Sequence, residues 1–191
     1  MLDVFFSISF VNAMIFGVES LLILTGLPLA IIMLGIAYQT DILPPDMCIH
    51  GTLSLIVIFK LMIMMDFLQF CSHVLEHRIH SKSHAQHHMH IRPCALDAFK
   101  TGCLDAVVSF MLPLFISLWA VRPNKSCAAL FGAGYSIWLQ FIHSENSYAL
   151  SLHSKIFVTP RYHRTHHGHP QKNLGHIFVV WDWLYGSICH L

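Results

Sequence analysis

Charge is what this sequence has least of. Only 11% of its 191 residues are Asp, Glu, Lys or Arg, while 55% are hydrophobic; ordinary globular chains are roughly a quarter charged. A water-soluble domain of this mixture has too little polar surface to cover its core, so the bilayer is its natural solvent. The few charges nearly cancel, to a formal net charge of +1, which excludes the basic footprint of a nucleic-acid-binding protein. Cys-x-x-Cys pairs are also absent. Cys48, Cys71, Cys94, Cys103, Cys127 and Cys189 lie scattered and read as reduced structural thiols, neither a disulfide framework nor a zinc ribbon. No secretory leader, internal repeat or low-complexity tract stands out.

What is present is long apolar runs. A spanning helix needs about 20 mostly apolar residues, and four stretches meet or approach that: 16–38, 51–71, 104–121 and 126–142. The last two are joined by the tight turn Arg122-Pro123-Asn124-Lys125. The expected fold is therefore all-α, four transmembrane helices in two hairpins, with the whole of 1–191 a single integral-membrane domain. Arg78, Lys82, Arg92, Lys100, Lys155, Arg161, Arg164 and Lys172 fall on one side of these spans and only Arg122 and Lys125 on the other. The positive-inside rule places the first group in the cytosol. Lys60 lies near the middle of the second span, where a charge costs about 3 kcal/mol. It should face the bundle interior, with Asp105 or Glu19 as partner, or else snorkel its ammonium out of the bundle.

Histidine is the second anomaly. There are sixteen, and all but His50 lie in two segments on that cytosolic side, 73–100 and 143–191. They form His73-x-x-x-His77, His84-x-x-His87-His88 and His163-x-x-His166-His167, with His143 at the end of the fourth apolar run. Residues three and four apart share a helix face, so each cluster aims its imidazoles into one sector. Neutral imidazole suits iron, zinc, copper and nickel. A tetrahedral zinc takes four ligands, so nine clustered imidazoles call for two metal ions. His50, His90, His153, His169 and His190 read as ordinary solvated or capping residues.

This pattern resembles the fatty acid hydroxylase and sterol desaturase superfamily of histidine-motif membrane oxygenases. The resemblance runs over about residues 55 to 188. It is strongest in Thr159-Pro160-Arg161-Tyr162-His163-Arg164-Thr165-His166-His167-Gly168, followed by Asn173-Leu174-Gly175 and Trp181-Asp182-Trp183-Leu184-Tyr185-Gly186-Ser187. His143-Ser144-Glu145 and Asp66 also stand where members carry a histidine and an aspartate. The resemblance implies two iron ions held by His73, His77, His84, His87, His88, His143, His163, His166 and His167, with dioxygen as cosubstrate. It implies hydroxylation or desaturation at a C–H bond of a membrane lipid: sterol, sphingolipid, fatty acyl chain, alkylglycerol or carotenoid. It further implies electrons from a separate b-type cytochrome with its reductase, or a ferredoxin, and a place in the endoplasmic reticulum. Zinc competes with iron for imidazole.

Some points depart from that pattern or stay open. Only six residues separate His77 from His84. One straight helix would string His73, His77, His80, His84 and His87 in a single stripe about 20 Å long, too long for one dimetal centre, so the helix should break near residues 79–83. His80 competes with His77 as a ligand, and His176 is a candidate extra one. Asp66, Glu76, Glu145 and Asp182 lie close enough in sequence to orient imidazoles by accepting their second N–H. Asp66, about 10 Å along the helix from His73, suits a histidine of another segment. The rival class is a histidine-rich membrane metal transporter or zinc-binding protein without redox chemistry, which would want its ligands inside the spans near the midplane.

Overall fold

The computed structural model describes residues 52–79, 82–145 and 154–189. The first expected span, 16–38, lies outside them, as do Glu19, His50, His80, His153 and His190. Six helices are described. α1 is Leu55–Arg78 and α2 is Lys82–His87. α3 covers 103–121, α4 is Lys125–Ile142, α5 is Pro160–Gly168 and α6 is Val180–Tyr185. A short 3₁₀ turn, Ala95–Phe99, precedes α3. No strand occurs among the described residues, only an isolated bridge between Phe157 and Phe178. The chain is all-α.

α1 starts at Ser54, whose hydroxyl accepts from the Val57 amide. Its 24 residues are mostly apolar, and it is the helix among those described that is long and apolar enough to cross a membrane. Its polar residues Asp66, Gln69, His73, Glu76 and His77 are buried against the rest of the protein, while it exposes Leu55, Ile56, Phe59, Phe67 and Leu75. The second expected span is thus longer than 51–71 by nearly two turns at its histidine end. The third and fourth runs fold as α3 and α4, but neither is long and apolar enough to cross a membrane by the measure that α1 meets, the apolar part of α3 being only Ala106–Val121. In α3, Ala106–Met111 is π-helical, with Leu112 N bonding Val107 O. Pro113 follows at once; it lacks an N–H and crowds the carbonyl four residues back, and a widened turn relieves both.

α3 reverses into α4 through Arg122, in the left-handed region at φ 52°, and Asn124, whose side chain caps α4 by accepting from Cys127 N. Asn124 Nδ2 also donates to Thr52 O, and Ser54 N to Cys127 Sγ. These bonds tie the hairpin to the start of α1. α1 packs on both α3 and α4, burying Leu61, Met65, Leu118, Phe131, Tyr135, Leu139 and Ile142. Lys60 does not face this interior. It is exposed, and the expected partner Asp105 is engaged with His84 and Thr101. A long cationic side chain keeps its head out of an apolar bundle while its stem covers the helix.

The C-terminal block, 154–189, is clamped to α1 by Asp66. This fully buried carboxylate accepts from Ile177 N at 2.8 Å, Phe178 N at 3.0 Å and the Trp181 indole at 2.7 Å. The expectation that Asp66 holds a histidine is therefore corrected: its partners are two peptide amides and an indole. Replacing Asp66 by Ala strands three buried donors and should destabilise the protein by roughly 3 kcal/mol. Unfolding of Asp66→Ala in detergent, followed by circular dichroism, should show its midpoint lowered by about 5 °C or more. An unchanged midpoint would remove the clamp from the account.

Candidate metal centre

α1 ends at Arg78, and a new helix starts at Lys82. This is the break that the stripe-length argument required. It folds the second histidine cluster back beside the first. α4 delivers His143 as its C-cap, and α5 delivers His163, His166 and His167. α5 begins where Pro160 follows the capping hydroxyl of Thr159, which accepts from Tyr162 N, an N-terminus that proline fits because its missing N–H is not needed there.

The nine imidazoles separate into two groups, His73, His77, His84, His88 and His166 in one, and His87, His143, His163 and His167 in the other. In each H-x-x-H-H the outer pair four residues apart serves one group, and the histidine three residues in serves the other. In the first group the Nε2 atoms approach pairwise: His73–His77 3.1 Å, His73–His84 3.1 Å, His77–His84 3.1 Å, His84–His88 3.0 Å, His88–His166 3.1 Å and His77–His166 3.3 Å. His73 and His88 stand across the set, nearly stacked at 6.4 Å between centroids. In the second group the separations are His87–His143 3.2 Å, His143–His163 3.0 Å and His163–His167 3.2 Å. Nitrogens bound at about 2.1 Å and at right angles around one ion lie about 3.0 Å apart, and tetrahedral ones about 3.4 Å.

These contacts cannot all be hydrogen bonds. His73 Nδ1 donates to Leu174 O at 2.8 Å, His166 Nδ1 to Lys172 O at 2.8 Å, His143 Nδ1 to Leu139 O at 2.7 Å and His87 Nδ1 to Lys100 O at 3.3 Å. His84 Nδ1 donates to the Asp105 carboxylate at 3.2 Å. A carbonyl only accepts, so His73, His87, His143 and His166 carry a proton on Nδ1 and, as neutral rings, present a bare lone pair at Nε2. The His87–His143 contact therefore places lone pair against lone pair, and His73 and His166 bring two more bare lone pairs into the first group, a repulsion that a shared cation removes. Burial first, and neighbouring imidazoles second, hold His163, His166 and His143 well below the ordinary histidine pKa and push His88 down to about 2. The rings stay neutral, which is the ligand form. The donor set fits two imidazole-bound metal ions.

Carboxylates and carbonyls hold this set in place. Beyond His84, Asp105 accepts from the Thr101 hydroxyl, and Glu76, with one oxygen 3.6 Å from His84 Nδ1, accepts from Ser109. Glu76 is buried, not a solvated charge. Asp182 touches no imidazole: it accepts from Leu174 N and Gly175 N, both at 2.7 Å, and from Ser187 Oγ at 2.6 Å. It fixes the loop whose Lys172 and Leu174 carbonyls hold His166 and His73. Between those carbonyls Asn173 adopts φ 55°. A Cβ at Gly175 would meet Asp182 Oδ2 and Phe178 O at 2.8 Å each, so this close approach requires glycine. Glu145 is exposed and holds no imidazole among the described residues. His90 and His169 are exposed as expected, whereas His176 is buried, its ring 4.7 Å from His73 and 5.9 Å from His163. Sequence reasoning missed Asp105 as the partner of His84; it lies 21 residues away, and no local motif joins them.

A cavity of about 80 Å³ opens between the two groups, lined by His73 and His84 of one and His87 and His143 of the other. Phe99, Ala106, Phe110 and Leu139 form its apolar wall. Gln69 and His176 also face it, and Gln69 Oε1 and His176 Nδ1 are buried without a hydrogen-bond partner.

Two measurements follow. Metal analysis of the purified protein should give about two ions per chain, falling to about one in His77→Ala and in His143→Ala, since each variant depletes a different group. Loss of both ions from either variant would contradict the partition. The metal-stripped protein should also lose stability with acid. From the ordinary value of 6.5 down to about 3 at His176 and about 2 at His88, the unfolded chain binds protons that the folded chain refuses. Stability therefore falls as pH drops from about 7 to about 5, and a stripped protein whose unfolding midpoint is flat across that range would refute the buried neutral rings.

Residues 58–187 match the Fatty acid hydroxylase family. The chain is 31% identical over 170 residues to a protein of Phaeodactylum tricornutum (strain CCAP 1055/1) named alternative squalene epoxidase, a match covering 85% of this chain and 49% of that relative. It thus spans about half the length of the curated relative it matches. No solved structure matches it. With its histidine clusters gathered on α1, α2, α4 and α5 and the family match running through all of them, this chain belongs to the fatty acid hydroxylase family.

Proposed function

We propose that this chain is the oxygenase domain of an integral-membrane, iron-dependent oxidoreductase that uses dioxygen to modify a lipid. The carrying observation is the pair of imidazole groups with opposed bare lone pairs on either side of one small, mostly apolar cavity. His73, His77, His84, His88 and His166 would hold one iron, and His87, His143, His163 and His167 the other. When bound, the two irons would supply the activation of dioxygen, which no side chain of this chain can perform.

The chain's own residues do the rest. Asp105, Leu139 O, Lys100 O, Lys172 O and Leu174 O fix ring tautomers, so that every such Nε2 lone pair points inward. Phe99, Ala106, Phe110 and Leu139 exclude water from the reacting carbon. Gln69 and His176 offer uncommitted polar atoms to whatever oxygen occupies the cavity. Because α1 carries two of the histidines at the end of a membrane-length helix, the substrate reaches the site from the bilayer. The relative's name puts a carbon–carbon double bond of an isoprenoid lipid first among substrates, so oxygen insertion into an alkene joins hydroxylation and desaturation as the reaction. Four spans, an active site facing the cytosol, residence in the endoplasmic reticulum and electrons from a b-type cytochrome or ferredoxin complete the reading.

Lipid mass spectrometry of cells expressing the wild type and His163→Ala tests it. One lipid class gaining one oxygen or losing two hydrogens, with the wild type only, is the expected result. Identical lipid profiles, with both proteins present in the membrane and the wild type iron-loaded, would overturn the oxygenase reading.

A further inference from the structure

The C-terminal block carries an apolar surface that the metal centre does not explain. Ile156, Phe157, Val180, Trp183, Leu184 and Tyr185 are all exposed, Trp183 at 70%, Leu184 at 64% and Ile156 at 63%. The bridge between Phe157 and Phe178, with Val179 N donating to Ile156 O, sets the first two beside α6, which carries the other four. Surfaces that face water rarely keep such a patch.

Its position says what covers it. Trp181 packs 5.1 Å from Phe67, and Tyr185 packs 5.8 Å from Phe70. The Tyr185 hydroxyl accepts from the Arg78 guanidinium at 2.6 Å. α6 therefore lies along the histidine-bearing end of the membrane-length helix, where α1 passes from apolar residues to Arg78. Tryptophan and tyrosine favour that depth of a bilayer. Beside the patch, between α5 and α6, is an open groove of about 880 Å³. Val179, Val180, Trp183 and Ile188 give it an apolar side, Lys155 and Arg161 a basic rim, and none of its lining residues is acidic.

We propose that this face is a phospholipid site: α6 lies in the membrane interface, and the groove seats an anionic head group of the adjoining leaflet. Acyl chains cover Trp183 and Leu184, and the phosphate meets Lys155 and Arg161. Basic side chains at a membrane surface favour anionic over zwitterionic lipid. The site rests on α1 being a membrane helix and not on any metal chemistry.

The test uses the full chain in nanodiscs, where neither iron nor turnover is needed. Trp183 fluorescence is isolated as the difference between the wild type and Trp183→Phe, an exposed position whose substitution leaves the fold alone. Phosphatidylcholine or phosphatidylserine, brominated near the head of the acyl chain, is included at the same mole fraction. Brominated phosphatidylserine should quench Trp183 about twofold more than brominated phosphatidylcholine, and Lys155→Glu with Arg161→Glu should abolish the difference. Equal quenching by both lipids in the wild type would overturn the head-group seat. Quenching by aqueous acrylamide but by neither lipid would overturn the membrane contact and give the face to a second copy or a soluble partner. Because binding is read without reaction, failure here leaves the oxygenase reading standing, and failure of that reading leaves this result intact.

Discussion

The arrangement depends on a repulsion. In the second group His87 and His143 turn two bare nitrogens on each other at 3.2 Å, because their other nitrogens are committed to the carbonyls of Lys100 and Leu139, and His73 and His166 crowd the first group in the same way. Buried, neutral and unable to hydrogen-bond one another, such nitrogens would spread apart unless a cation sat between them. Much else in the fold serves to impose that crowding. α1 must end before residue 82, α2 must fold back, and α5 must be pressed against both, so that each H-x-x-H-H divides its rings between two centres instead of filling one.

Keeping those rings in place falls to peptide groups more than to charges. The loop after α5 turns at Asn173 with a positive φ, and the carbonyls on either side of that residue hold His166 and His73. Asp182 grips the same loop by two amides, and Asp66 grips the next turn by two more. Neither aspartate reaches a histidine, yet both set imidazole positions through the backbone they hold. The tryptophan-aspartate block and the Asn-Leu-Gly segment are thus two halves of one clasp. Asp105 alone among the described carboxylates combines burial with direct contact to a ligand candidate within hydrogen-bond range.

Much of this was legible in the sequence. Spacing of three and four residues identified eight of the nine imidazoles that the fold gathers, His143 being added for its place at the end of the fourth apolar run, and a length argument located the helix break. The apolar runs outlined α1, α3 and α4. What was not legible is what depends on contacts between distant segments. Asp66 sits two helical turns before His73, and proximity along the chain suggested an imidazole partner; its partners prove to be amides more than a hundred residues away. For Lys60 the sequence left an interior ion pair and an outward-reaching stem both open, and the fold takes the second. His176 has no partner within a motif, so the sequence marked it only as a candidate extra ligand. Only the fold buries it beside both groups.

The same clasp couples chemistry to depth in the membrane. His73 and His77 lie on the helix that fits the bilayer, and Asp66 and Trp181 lock the rest of the centre to that helix. The dimetal candidate site therefore has a fixed height relative to the lipid, set by residues 66–78 at 1.5 Å per residue. On the proposed reading, a cavity walled by Phe99, Ala106, Phe110 and Leu139 beside the imidazoles takes an apolar part of the lipid. It can select by how far along a chain the reacting carbon lies from the membrane surface, with Gln69 and His176 as the uncommitted polar atoms there. On the proposed reading, regiochemistry is a ruler measurement made from the interface. A fold that anchors its metal ligands, its cap and α6 to one helix keeps the zero of that ruler from moving.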